Sequence, residues 1–269
     1  MLVLHGPSKS IQELKAIPIP ETRRWNKEGE GVGNWKPVNH GDLVETLLRA
    51  VADKGLEVKA SEWEVNEGGT DLFGALQIGR GTPAEAPEGT EMAIGLRHSN
   101  AGRHAVTLAF GAKVFVCSNG VFFGSTVVQR RHTLKLDLEG AFEVAIQEYL
   151  DSTAGVRDWI CALQGIELEK HEPDRVMIES GRRGVIPWSF LRHVEENWRT
   201  PKHKEFKPRT AWSLYNAYTE AAKARGLDGQ LETLAALERL FLPIILERRG
   251  RAARAAVIAP YPDGQDAGF

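Results

Sequence analysis

Residues 97–124, RHSNAGRHAVTLAFGAKVFVCSNGVFFG, decide how this chain is read. Two polar, glycine-bearing knots, RHSNAGRH and CSNG, bracket an apolar run of strand character. Asn-Gly tolerates the positive φ that tight hairpins require, so CSNG predicts a turn between antiparallel strands. Ser99 and Asn100 are residues whose side chains bond to nearby backbone, so the first knot is also read as a turn. A second reading makes it a binding edge formed by Arg97 and Arg103. A catalytic Ser99 is disfavoured. Adjacent strand residues point to opposite faces, so His98 does not serve it, and no G-x-S-x-G elbow is present.

Working outward, the pattern on either side agrees. Residues 57–79 alternate about the turn EGGTD and predict a hairpin. EMAIGLRHS predicts a third strand, and HAVTLAFGAKVFVCSN either one long bent strand or two strands about Gly111. Before them, NHGDLVETLLRAVADKG places Leu43, Val44, Leu47, Leu48 and Val51 on one helical face, closed by Gly55. From Leu136 onward the period is helical. It includes GVIPWSFLRHVEENW, PRTAWSLYNAYTEAAKARG and a long apolar segment that Pro243 is expected to kink or end. The fold class is therefore α+β: an antiparallel β-sheet preceded by a helix and followed by a helical half. The divisions are an extended N-terminal arm (1–37), a helix plus sheet (38–135), a helical region packing on the sheet (136–256) and a disordered tail (257–269).

Composition narrows the function. The chain has 269 residues, 42% hydrophobic and 26% charged, with a formal net charge of −2. It can bury a large core unaided, and no whole-protein field draws it to nucleic acid or an anionic membrane. Any such binding needs a local patch. The two cysteines, Cys117 and Cys161, lack metal or redox spacing and are expected as small buried side chains in a reducing compartment. No apolar run reaches the ~18 residues of a membrane span. The N-terminus lacks the pattern of a signal peptide, so a cytoplasmic location is expected. Phosphate-cradling G-x-x-x-x-G-K-[ST], G-x-G-x-x-G after a strand, H-E-x-x-H and paired C-x-x-C are all missing. Cys117, His98, His104 and His132 have no compact metal spacing. The expectation is a non-enzymatic protein with no cofactor.

Two basic stretches remain. In residues 192–209, Arg192, Arg199, Lys202, Lys204, Lys207 and Arg209 are interleaved with Trp198 and Phe206, with Trp188 and Trp212 flanking. Cations tracking a backbone, with aromatics for base stacking, are what single-strand binding requires. The plainer alternative is a solvated charged loop whose aromatics pack inward. In QRRHT (129–133), Arg130 and Arg131 precede a predicted helix and could hold a phosphate at its N-terminus.

WKPVNHGDLVETL, GLRHSNAGRHAVTLAFGAKVFVCSNG, RRHT, GVIPWSFLRHVEENW and RTAWSLYNAYTE, in that order, resemble the phage- and plasmid-related proteins of domain-of-unknown-function family 932. The resemblance spans about residues 36–222 and implies a mobile-element setting. It transfers no catalytic residue. The order helix, antiparallel strands, helix is also similar to phage single-strand annealing proteins, which line a basic groove and assemble into rings or filaments. The resulting expectation is single-stranded DNA binding, with annealing and homo-oligomer formation. The phosphate contacts would be Arg97, Arg103, Arg130, Arg131 and the six cations of 192–209. The rival is a protein-interaction factor, antirestriction or host-takeover in kind, without nucleic-acid affinity.

Overall fold

Five antiparallel strands lie side by side in sequence order: β1 (Glu57–Val65), β2 (Asp71–Arg80), β3 (Thr90–Ser99), β4 (Val106–Val114) and β5 (Gly120–Arg130). The structure is a computed structural model and describes residues 8–19, 35–83, 85–114, 120–133, 135–225 and 227–258. Two turns of this meander have a local cause in nearby side chains. Between β1 and β2, the Asn66 side-chain oxygen accepts from the N–H groups of Thr70 (2.8 Å) and Asp71 (3.0 Å), and Gly69 supplies a φ of 66°. Between β3 and β4, Ser99 Oγ accepts from Arg103 N–H at 3.2 Å. The first knot is thus a side-chain-stabilised turn, while CSNG lies almost wholly in 115–119, outside the described residues. β4 is one strand through Gly111, with register shifts against β5 beside it.

The pleat sorts the strands into two faces. Leu76, Ile94 and Phe110 lie directly across from one another in the register, as do Ile78, Met92 and Ala112, and all six are buried. This face meets two helices, α2 (His40–Asp53) and α3 (Leu138–Gly165). Asn39 caps α2 by accepting from Gly41 and Asp42 N–H, and Leu43, Val44, Leu47 and Val51 are fully buried. The Phe110 and Tyr149 rings, 4.8 Å apart, join sheet to α3.

The helical half continues with α4 (Glu172–Arg182), α5 (Trp188–Arg199), a 3₁₀ turn at Lys204–Phe206, α6 (Ala211–Ala222) and α7 (Leu227–Ile258). Nearly every residue of α6 is buried, which makes it the axis of this half. Tyr215 and Tyr218 both pack edge-on against Phe241 of α7. The apolar stripe of α7, including Leu237, Phe241 and Ile245, is buried within the chain. Among the described residues, no helix is long and apolar enough to cross a membrane.

Four expectations change. The N-terminal arm is not wholly extended: α1 (Ile11–Ala16; the order α1 to α7 follows the chain) forms under a capping box between Ser10 and Glu13 and buries Leu14. Of the two outcomes expected at Pro243, the helix does not end there, because only one backbone bond is lost and the flanking apolar residues still pack. The helix also extends to Ile258, into what reads as tail. Cys161 is exposed on α3, one residue beyond the buried Ile160, because it falls off the apolar stripe; Cys117 lies outside the described residues.

Two substitutions test this packing in opposite directions. A Cβ on Gly74 would fall 2.2 Å from the Trp63 ring and 2.3 Å from Glu62 O, so G74A should destabilise the protein by about 2–3 kcal/mol. The Tyr149 hydroxyl is buried with no hydrogen-bond partner among the described residues, so Y149F should be neutral or stabilising by up to about 1 kcal/mol. Chemical denaturation of the two variants checks both.

Candidate functional site

The basic stretch at 192–209 folds into α5, the 3₁₀ turn and the start of α6. Three of its six cations meet carboxylates of the same chain. Arg192 Nε lies 2.8 Å from Glu196, Arg199 Nε 2.7 Å from Glu195, and Lys202 Nζ 3.0 Å from Glu220. Arg209 donates to the Trp198 carbonyl at 2.6 Å, and its guanidinium stands 4.8 Å from the centre of that ring. Lys204 and Lys207 are exposed. Trp198 and Phe206 are only 7% and 8% exposed. The stacking role expected of these two rings is therefore closed: both are core residues, because Trp198 continues the inward stripe of Val194 one turn earlier.

Arg97 and Arg103 do not form an edge. Arg97 sits half-buried on β3, the central strand, opposite Phe73 and Thr107. Arg103 forms an ion pair with the buried Asp71 and donates to Thr70 Oγ1 at 2.9 Å.

Arg130 and Arg131 are placed differently. They end β5 and, with Lys135, line an open cleft of about 460 Å³ that runs to the first turn of α3 at Asp137 and Gly140. All three cations are exposed. Asp137 caps the helix by accepting from Gly140 N–H at 3.0 Å, so this carboxylate is engaged with backbone. The expected approach of Arg130 and Arg131 to a helix N-terminus is present, and Lys135 adds a third cation that the sequence pattern did not single out.

The third cluster lies where residues 35–40, 69–71, 98–103 and 132 meet. Three buried imidazoles form a chain with a backbone carbonyl at each end. His40 Nε2 is 2.9 Å from Gly69 O, and His40 Nδ1 is 2.7 Å from His98 Nε2. His98 Nδ1 is 3.4 Å from His132 Nε2, and His132 Nδ1 is 3.3 Å from Lys36 O. Trp35 stacks on His132 with ring centres 4.7 Å apart. Carbonyls only accept, so His40 Nε2 and His132 Nδ1 must both carry hydrogen. Three neutral rings hold three N–H groups for four contacts. The remaining one bridges the short His98–His40 contact, which leaves two lone pairs facing each other across the long His98–His132 contact. One added proton would close that gap; a second would force N–H against N–H.

Burial holds all three rings below the ordinary imidazole value, His132 at about 4 and the fully buried His98 well below that ordinary value, with the charges its two neighbours can carry adding to the effect. Asp71 opposes the shift at His40, but it is paired with Arg103. The two nitrogen–nitrogen contacts follow one another along the chain and do not converge, and among the described residues no His, Cys, Asp or Glu group could hold a metal.

The unfolded chain binds these protons near pH 6.5 and the folded chain only lower, so folding stability is complete above about 6.5 and falls as pH drops toward 4. Thermal melts across this range should show that loss. H132F keeps the Trp35 stack but removes one titrating group and leaves Lys36 O unpaired. It should cost about 1–3 kcal/mol at pH 7 and flatten the acid slope; an unchanged slope would remove His132 from this account.

The family model described as Domain of unknown function (DUF932) matches residues 32–254 of this chain. No curated protein and no solved structure matches.

Proposed function

We propose that this chain, which belongs to the DUF932 family, binds single-stranded nucleic acid, with DNA as the first candidate, through the cleft of Arg130, Arg131 and Lys135. The observation that carries this reading is the cleft itself: three exposed cations beside the N-terminal turn of a 28-residue helix. Such a surface suits a phosphodiester, because cations and a helix N-terminus both favour negative charge. It needs no net positive charge on the protein, which at −2 would not supply one. Strand annealing, self-assembly and a phage or plasmid setting are the finer parts of the proposal, supported by the sequence resemblance.

The pairing of Arg192, Arg199 and Lys202 with Glu196, Glu195 and Glu220 favours a second reading, a protein-interaction factor, because it damps the field of the other basic stretch. Fluorescence anisotropy with a labelled oligothymidylate at several salt concentrations separates the two. Binding should weaken linearly in log–log form. The triple variant R130A/R131A/K135A should lose at least tenfold in affinity, with a salt slope smaller by about 2, near 0.7 per single-strand phosphate contact. No binding at about 50 mM salt, where electrostatic contacts are strongest, would reject the nucleic-acid reading in favour of the second.

A further inference from the structure

Five of the six described tryptophans are core residues: Trp35, Trp63, Trp159, Trp198 and Trp212 are each 9% exposed or less. Trp188, the first residue of α5, is 58% exposed. It is not a loosely hanging side chain. A Cβ on Gly181 of α4 would lie 2.8, 2.8 and 2.9 Å from its Cε2, Cζ2 and Cδ2 atoms. Near-equal distances to three consecutive atoms of the fused ring put Gly181 beneath the face of the indole, not at its edge. One face is seated on helix backbone and the opposite face is open to solvent.

The surroundings hold one cation in excess of their carboxylates, Arg182. Arg182 directly follows Gly181, is exposed, and makes no ion pair among the described residues. Arg192 stands one turn along α5 from Trp188, and Arg183 precedes the connecting loop. Glu196 and Glu179 are each engaged, with Arg192 and Arg183. No acidic residue occupies the first turn of α5. Ile178, 47% exposed and one turn before Gly181 on α4, extends the apolar surface.

We infer that Trp188 is a nucleobase-stacking platform: its open face takes one base of a single strand, and Arg182 faces the adjoining phosphate. This rests on the nucleic-acid reading above and adds a place where bases, not only phosphates, are held. A flat ring supported from below suits a base because every base has a π-face, and stacking of this kind is tolerant of sequence. A protein side chain inserted here would meet the same ring, but the adjacent Arg182 favours an aromatic ligand that carries negative charge beside its ring.

The test uses the full chain with two labelled strands of equal length, oligothymidylate and its abasic counterpart, which keeps the phosphates and lacks the bases. W188A should weaken oligothymidylate binding roughly tenfold and leave abasic binding unchanged, while W188F retains most of the affinity. Iodide quenching gives an independent readout: the quenchable fluorescence lost in W188A should be shielded in the native protein when oligothymidylate is bound. Circular dichroism confirms that the variants fold. If the native protein binds oligothymidylate and W188A binds it equally well, or loses affinity for both strands alike, the platform is rejected and the cleft reading stands. If the native protein binds neither strand, both fall.

Discussion

The structure turns on the junction where Asn100 holds the backbone of Val38. Its side-chain oxygen accepts from Val38 N–H and its amide donates to Val38 O, both at 2.9 Å. This two-bond clasp mimics a strand pair with a single side chain, and it fixes the entry to α2 against the end of β3. Around it, the imidazole chain ties the same entry to the β1–β2 turn through Gly69 and to the segment after β5 through His132. Four stretches that are far apart in sequence are thereby locked at one end of the sheet. The exit of β5 at Arg130 and Arg131 is set by this lock, and so is the path into α3.

Electrostatics then sorts the cations by what lies within reach. Where a carboxylate falls one helical turn away, as for Arg192 and Arg199, the pair forms at the surface and contributes only a few tenths of a kcal/mol. Its larger effect is on the field, since each pair removes a phosphate contact unless the phosphate outcompetes the carboxylate. At the β5–α3 junction the one acidic residue lining the cleft, Asp137, already accepts from helix backbone. A count of basic residues alone therefore overstates the field of the 192–209 stretch, where Arg192, Arg199 and Lys202 each face a carboxylate.

Much of the fold could be read from the chain. The α2 stripe and the 57–79 hairpin follow from period alone. What escaped has identifiable causes. The capping box of α1 is only Ser10 and Glu13 around a single buried Leu14, a signal too short for periodicity. α4 carries Pro173 in its first turn and buries Val176, Met177 and Ser180 at helical spacing, but its low hydropathy hides the stripe. The imidazole chain was beyond reach: His40, His98 and His132 belong to three elements, and their alignment exists only once the sheet has closed.

The tryptophans of α5 show how far direction matters over composition. Trp188 and Trp198 both flank or punctuate the same basic stretch and look equivalent as residue types. On a helix each residue turns by ~100°, so Val194 and Trp198 lie ~40° apart, while Trp188 stands ~80–120° away from both. If Val194 and Trp198 face the core, as their burial shows, Trp188 cannot share that stripe, and it must either meet another element or open to solvent. The structure does both, seating one face on Gly181 and exposing the other. A glycine at position 181 is what allows this, since any side chain there would lift the ring off α4. The residue that buries its ring most deeply is then the poorer candidate for stacking, and the exposed ring at the start of the helix the better one.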